Sequence, residues 1–192
     1  GGGGARGQIV SHMSAALRTL RLLVRHESVR LRLVALGALP ELCALLPSAH
    51  ESLSMPAAAL LLFAVSSATP AAEATLDGLA TPAFFRAAAA ALAAARTAAL
   101  VAAPDDTRAS VAGRAAVRAS AAADKASSDS LAARICVLLQ RLSLRPACRG
   151  FFQLPELRSA LLSLQHAAGS TFIAANVRSV LENTSAEVPK AE

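Results

Sequence analysis

The stretch from Glu27 to Ser67, ESVRLRLVALGALPELCALLPSAHESLSMPAAALLLFAVSS, decides the fold class. It divides into three helical parts. Val29 to Leu36 is a short, apolar-periodic helix stopped by Gly37. Pro40 opens a second helix, Pro40 to Leu46, whose Leu42, Cys43, Leu45 and Leu46 form one apolar face, and Pro47-Ser48 closes it. Proline in the first turn and glycine just past the end are the expected punctuation of helices. After a polar loop, Pro56 opens a third helix, Ala57 to Ser66, which is apolar nearly all round. A helix without a polar side is one sandwiched between neighbours.

The pattern recurs along the chain. Ala16-Leu17-Arg18-Thr19-Leu20-Arg21 matches Ala59-Leu60-Leu61-Leu62-Phe63-Ala64 at a separation of about 43 residues, within the range of two- and three-helix repeats. Leu154-Pro155-Glu156-Leu157 repeats Leu39-Pro40-Glu41-Leu42, and Leu161-Leu162 follows as Leu45-Leu46 does. Leu138-Leu139-Gln140-Arg141-Leu142-Ser143 and Val180-Leu181-Glu182-Asn183-Thr184-Ser185 repeat the third-helix pattern. A weaker copy of the first two helices runs from Glu73 to Gly78 and on into Pro82-Ala83-Phe84-Phe85. Repeats of this kind cannot bury their own apolar faces and depend on their neighbours. Leu17, Leu20, Leu33, Leu42, Leu45, Leu60, Phe63, Leu139, Leu142, Leu157 and Leu161 are accordingly the expected core.

In these residues the chain resembles the armadillo repeat family, with HEAT-like α-solenoids as the near neighbour. Gly37-Ala38-Leu39-Pro40-Glu41-Leu42-Cys43-Ala44-Leu45-Leu46 resembles the family's second helix, and Val180-Leu181-Glu182-Asn183-Thr184-Ser185 resembles the end of its third. The resemblance covers Ser14 to Ala102 and Ser130 to Ser185. It implies an all-α fold, a right-handed α-solenoid of about three to four armadillo-like repeats. It also implies that third helices line a groove in which an asparagine clamps an extended peptide. Only Asn183 keeps that asparagine; Thr19, Leu62 and Arg141 stand at the other copies, and the tryptophans of nuclear-import adaptors are absent. Recognition of nuclear signals is therefore not expected.

The expected organisation is a flexible glycine-rich segment at residues 1–12, repeats at 13–102, an Ala/Ser/Arg insertion at 103–129, repeats again at 130–185, and a tail at 186–192. The first repeat is reduced to its third helix, Met13 to Arg25, so the chain is expected to be part of a longer solenoid or a multi-protein complex. The insertion, APDDTRASVAGRAAVRASAAADKASSD, has little to bury and falls between the second and third helices of a repeat.

Composition excludes several function classes. The chain of 192 residues is 54% hydrophobic, 17% charged and 3% aromatic, and alanine makes up a quarter of it. That excess favours helix. There is no tryptophan or tyrosine to stack on bases or sugars. Cys43, Cys136 and Cys148 are an odd number without CxxC spacing, and read as buried reduced thiols. The long apolar stretch Ala83 to Ala103 contains Arg86 and Arg96, each costing about 2.5–3.5 kcal/mol near a bilayer centre, which argues against membrane insertion. His12, His26, His50 and His166 show no ligand spacing, and no Gly-x-Ser-x-Gly elbow or phosphate-cradling loop occurs. No catalytic residue, cofactor or metal is expected.

The net charge of +6 rests almost wholly on arginine, with Lys125 and Lys190 the only lysines. Arg18, Arg21 and Arg25 fall at i, i+3 and i+7 and share one helical face. Arg141 and Arg145 share a second stripe, with Arg149 beyond Pro146. With Asn183 these five arginines are the candidate partner-binding residues: Arg18, Arg21, Arg25, Arg141, Arg145 and Asn183. The competing account is a solvated face with ordinary helix-end arginines. The sequence pI of about 10.5 raises nucleic acid as a ligand, but the arginines are not clustered with aromatics and no nucleic-acid module is visible, so nucleic acid is not the expected partner. The expected function is a non-enzymatic protein–protein interaction module or scaffold, binding an acidic extended segment or helix. The resemblance implies a cytoplasmic setting, cytoskeletal or ciliary among others. Two rivals stand beside it. One is a cargo or chaperone-cofactor adaptor. The other is an RNA-associated organellar helical-repeat protein, which the arginine-rich, acid-poor composition of Ala5 to Gly37 would suit as a transit segment.

Overall fold

The computed structural model describes residues 3–101, 131–167 and 171–185. Among them every regular element is helical. In chain order these are α1 (Gly3–Leu23), α2 (Glu27–Ala35), α3 (Ala38–Ala44), α4 (Glu51–Ala64), α5 (Pro70–Leu79), α6 (Pro82–Val101), α7 (131–143), a 3-10 helix (Pro146–Gln153), α8 (Pro155–Ala167) and α9 (Thr171–Ser185). The expected insertion at 103–129 and tail at 186–192 lie outside the described residues.

Local chemistry sets the boundaries. Gly37 sits at φ 65°, a left-handed conformation that admits glycine without a Cβ penalty, and lets the chain turn from α2 directly into α3. Gly78 in α5 is there for another reason: a Cβ at this position would lie 2.5 Å from Leu39 Cδ1, so its absence lets α5 approach α3. Both α5 and α6 open on Thr-Pro. Thr69 Oγ1 accepts from the Ala72 amide at 3.3 Å and Thr81 Oγ1 from the Phe84 amide at 3.4 Å, while Pro70 and Pro82 occupy first-turn positions where no amide is needed.

Three expectations about these boundaries are corrected. Residues 3–12, expected to be flexible, belong to α1, and Val10 packs against the core. The second helix begins at Ala38 rather than Pro40, because Gly37 has already made the turn. The third helix begins at Glu51 rather than after Pro56. Pro56 lies inside α4, where it removes one intrahelical bond; the preceding turn nonetheless stays helical and buries Leu53 and Ser54.

Most inter-helix contacts join helices that are not consecutive in the chain. α1 lies on α4, α2 on α5, α3 on α6 and α6 on α8. α7 is tied to α4 on one side, where the Arg134 guanidinium donates to the Met55 carbonyl at 3.2 Å and Arg141 to the Val65 carbonyl at 2.6 Å. On its other side α7 meets α9: Gln140 Nε2 donates to Ser179 Oγ at 3.4 Å and Asn183 Nδ2 to Ser143 Oγ at 3.0 Å. α4 thus lies between α1 and α7, and Ala57, Ala58, Leu60 and Leu61 are all inaccessible. α6, the long apolar stretch, buries Ala88, Ala89, Ala91 and Leu92 between α3 and α8. No single helix among the described residues is long and apolar enough to cross a membrane.

One continuous core runs through the described residues. Of the expected core, Leu17, Leu33, Leu42, Leu60, Leu139, Leu142, Leu157 and Leu161 are buried, and Leu20 and Leu45 are half-buried against it. Phe63 is a correction: it is 41% exposed, because its turn of α4 faces outward between α1 and α7. A second feature has no counterpart among the expected elements. Phe85 packs against Phe84, Phe151 and Phe152 at ring-centroid distances of 5.4, 5.1 and 5.0 Å, locking the 3-10 helix onto α6. All three cysteines are free and buried. Burial pushes the Cys43 and Cys136 thiols up to about 12 and raises Cys148 as well, so all three stay protonated at neutral pH.

The central place of α4 gives a direct expectation. Leu60→Ala removes a fully buried side chain and should cost about 2–5 kcal/mol of stability. Leu144→Ala, at a residue 69% exposed in the turn after α7, should stay within about 0.5 kcal/mol of wild type. Urea unfolding followed by far-ultraviolet circular dichroism measures both.

Candidate functional site

The six candidate residues separate into two groups. Arg18 and Arg21 lie on α1 and Arg25 in the turn just past its end; all three keep their guanidiniums at the surface, Arg21 half-buried. Arg141, Arg145 and Asn183 are engaged within the protein. Arg141 donates to the carbonyl of Val65, the residue that ends α4. Arg145, which precedes the 3-10 helix, donates to Glu73 Oε2 at 2.9 Å and also pairs with Asp77, both on α5. Asn183 donates to Ser143 as described above, so its amide links α9 to α7. The expected common stripe of Arg141 and Arg145 is therefore divided between two neighbours, α4 and α5.

An open cleft lies between α1, α4 and α7. Arg18 and Arg21 contribute from α1, Glu51, Ser52, Met55 and Pro56 from the N-terminal half of α4, and Arg134 from α7. Its volume is about 400 Å3. Arg134 was not among the sequence candidates. Its spacing of i, i+7 from Arg141 places both on one face of α7, and that spacing was the signal available. Both reach across to α4 backbone carbonyls, 3.2 Å for Arg134 and 2.6 Å for Arg141. Burial, and then the neighbouring Arg21 charge, hold Arg134 below the usual guanidinium range. Glu51 is the one acid in the lining.

Just past the end of α1, beside the last turn of α4, the Arg25 guanidinium lies 5.9 Å from the centre of the exposed Phe63 ring, within reach of a cation–π contact. The surface therefore offers a cationic cleft at one point and an aromatic platform capped by a cation at the next. Such a surface can hold an anionic group and an apolar side chain of a bound segment. Among the described residues no group of three or more His, Cys, Asp or Glu side chains could hold a metal ion.

No family model, no curated protein and no solved structure matches this chain.

The division of the arginines has measurable consequences. Arg141→Leu removes a charged donor from a half-buried carbonyl contact and should destabilise the protein by about 1.5–3 kcal/mol. Arg145→Gln breaks contacts to two acids that are 62% and 68% exposed, and should cost about 1 kcal/mol or less. Equal losses in urea unfolding would show that the Val65 contact is no stronger than a surface ion pair.

Proposed function

We propose that this chain is a right-handed α-solenoid of armadillo-like repeats that acts as a non-enzymatic protein–protein interaction module or scaffold, holding a partner segment along the row formed by α1, α4, α7 and α9. Three features support the solenoid. Helices of like rank pack on one another in chain order, α1 to α4 to α7 to α9 and α3 to α6 to α8, with α2 on α5 beside them. The residues that match the third-helix pattern fall on α1, α4, α7 and α9, and those that match the second on α3 and α8. The contacts that tie one tier to the next are made by side chains at the repeat boundaries, Arg141, Arg145 and Asn183 among them.

The observation that carries the function is the exposed strip on that row. Phe63 is 41% exposed beside Arg25, and Arg18, Arg21 and Arg134 share a cleft whose lining includes one acid, Glu51. A large aromatic and several guanidiniums at one surface are the residue types that dominate binding energy at protein interfaces. The arginines also attract an acidic partner and orient it.

Site-specific photocrosslinking tests the assignment. A benzoylphenylalanine introduced at Phe63 should give discrete protein adducts in cells that express the chain. The same probe at Arg32 on α2 and Ala90 on α6, both exposed, should give none. Adducts from Arg32 or Ala90 alone, or none from any position, would overturn it.

A further inference from the structure

The cleft between α1, α4 and α7 is more specific than a general basic surface. Three guanidiniums, of Arg18, Arg21 and Arg134, and one carboxylate, of Glu51, line it. With Glu51 counted at full charge, three minus one leaves a balance of +2. Two of the cations are close enough that Arg21 weakens the hold of Arg134 on its proton. Holding like charges together opposes folding, and an anion entering between them reverses that cost. Arg134 is also fixed in place: it donates to the Met55 carbonyl at 3.2 Å, which orients the rest of its donor fork.

The charge balance discriminates among anions. A single carboxylate carries one negative charge and leaves the cleft with an excess cation. A phosphomonoester carries about −1.5 to −2 at neutral pH and offers three acceptor oxygens, matching both the balance and the number of guanidiniums. Arginine forks suit phosphate geometry, and the Ser52 hydroxyl at the cleft wall supplies a further donor.

We propose that this cleft binds a phosphorylated serine or threonine side chain on the partner segment. The inference rests on the interaction-module reading and names the chemistry of what it holds. The neighbouring platform adds a second requirement. From Arg18 on α1 to Arg25 just past its end, and from Pro56 to Phe63 along α4, is seven residues each, about 10 Å at helical rise. An extended segment covers that distance in about three residues. The partner therefore carries an apolar or aromatic side chain about three residues from its phosphoryl group, packed on Phe63.

Fluorescence anisotropy with the full chain tests this. The probes are labelled nonapeptide libraries randomised around a central phosphoserine, a central serine or a central Glu-Glu pair, and a ten-nucleotide single-stranded RNA. The phosphoserine library should bind at least tenfold more tightly than the other three probes. Arg21→Gln and Arg134→Gln should each weaken it at least tenfold with helical content unchanged by circular dichroism. Arg86→Gln, at an exposed position of α6, should leave it as in wild type. Equal affinity for the Glu-Glu library would reduce the cleft to a general acid receptor and overturn the phosphoryl assignment. Tighter RNA binding lost in the same variants would overturn it in favour of nucleic acid. No difference between phosphoserine and serine up to 1 mM protein, a level at which about 4 kcal/mol of binding is detected, would overturn it outright. If that failure comes with intact Phe63 crosslinks, the interaction module survives without its phosphate; loss of both removes both.

Discussion

Beyond its exposed first residues, Glu51 and Ser52, α4 has no polar side to give to water. Ala57, Ala58, Leu60 and Leu61 are all inaccessible, and they point in several directions around the helix axis. Such a helix exists only between two others, here α1 and α7. Each fully buried leucine contributes about 1.5–3 kcal/mol relative to exposure, so the sandwich outweighs the irregularity that Pro56 introduces into the same helix. α6 repeats the situation in the neighbouring row, with alanine in place of leucine, and its small side chains let α3 and α8 come close on both sides. Neighbour-supplied burial is the constraint from which the order of packing follows.

Polar side chains then fix how the tiers meet. Apolar faces rich in alanine and leucine slide on one another at little cost, because they lack directional contacts. Arg141 to the Val65 carbonyl, Arg145 to the acids of α5, Asn183 to Ser143 and Arg96 to Ser163 each span from one tier to the next. Arg30 plays a similar part at the first turn of the chain, where its buried guanidinium faces the Val24 and Arg25 carbonyls beyond the end of α1. Several arginines are in this sense structural. Arg18, Arg21, Arg25 and Arg134 lie together along the strip that α1, α4 and α7 form.

Much of this was legible in the residues. Gly37 and the leucines of Glu27 to Ser67 mark α2, α3 and α4 because apolar period and helix punctuation agree there. The beginnings of helices were harder. Gly3 to Ser11 has almost no apolar period, yet a helix once nucleated extends through any residues that can supply backbone bonds. Pro56 reads as a helix start, since proline favours first turns; the buried Leu53 and Ser54 before it override that preference. The 3-10 helix Pro146–Gln153 carries its apolar spacing on only three residues, Cys148, Phe151 and Phe152, in a single short stretch, and it is held by contacts with Phe85 that are distant in sequence. At the candidate site, the spacing of Arg18, Arg21 and Arg25 placed them together, whereas their convergence with Arg134 depends on how α7 lies beside α4 and α1, which no local spacing encodes.

The ordering of the third-rank helices is the central physical claim, and pulsed dipolar distances between spin labels read it directly. With labels at Thr19 on α1, Ser66 just past α4 and Glu182 on α9, helices stacked in chain order about 8–10 Å apart place Thr19 roughly 10 Å from Ser66 and about 25–30 Å from Glu182. A Thr19–Glu182 distance as short as Thr19–Ser66 would mean that α1 and α9 close on each other as in a bundle, and would contradict the account.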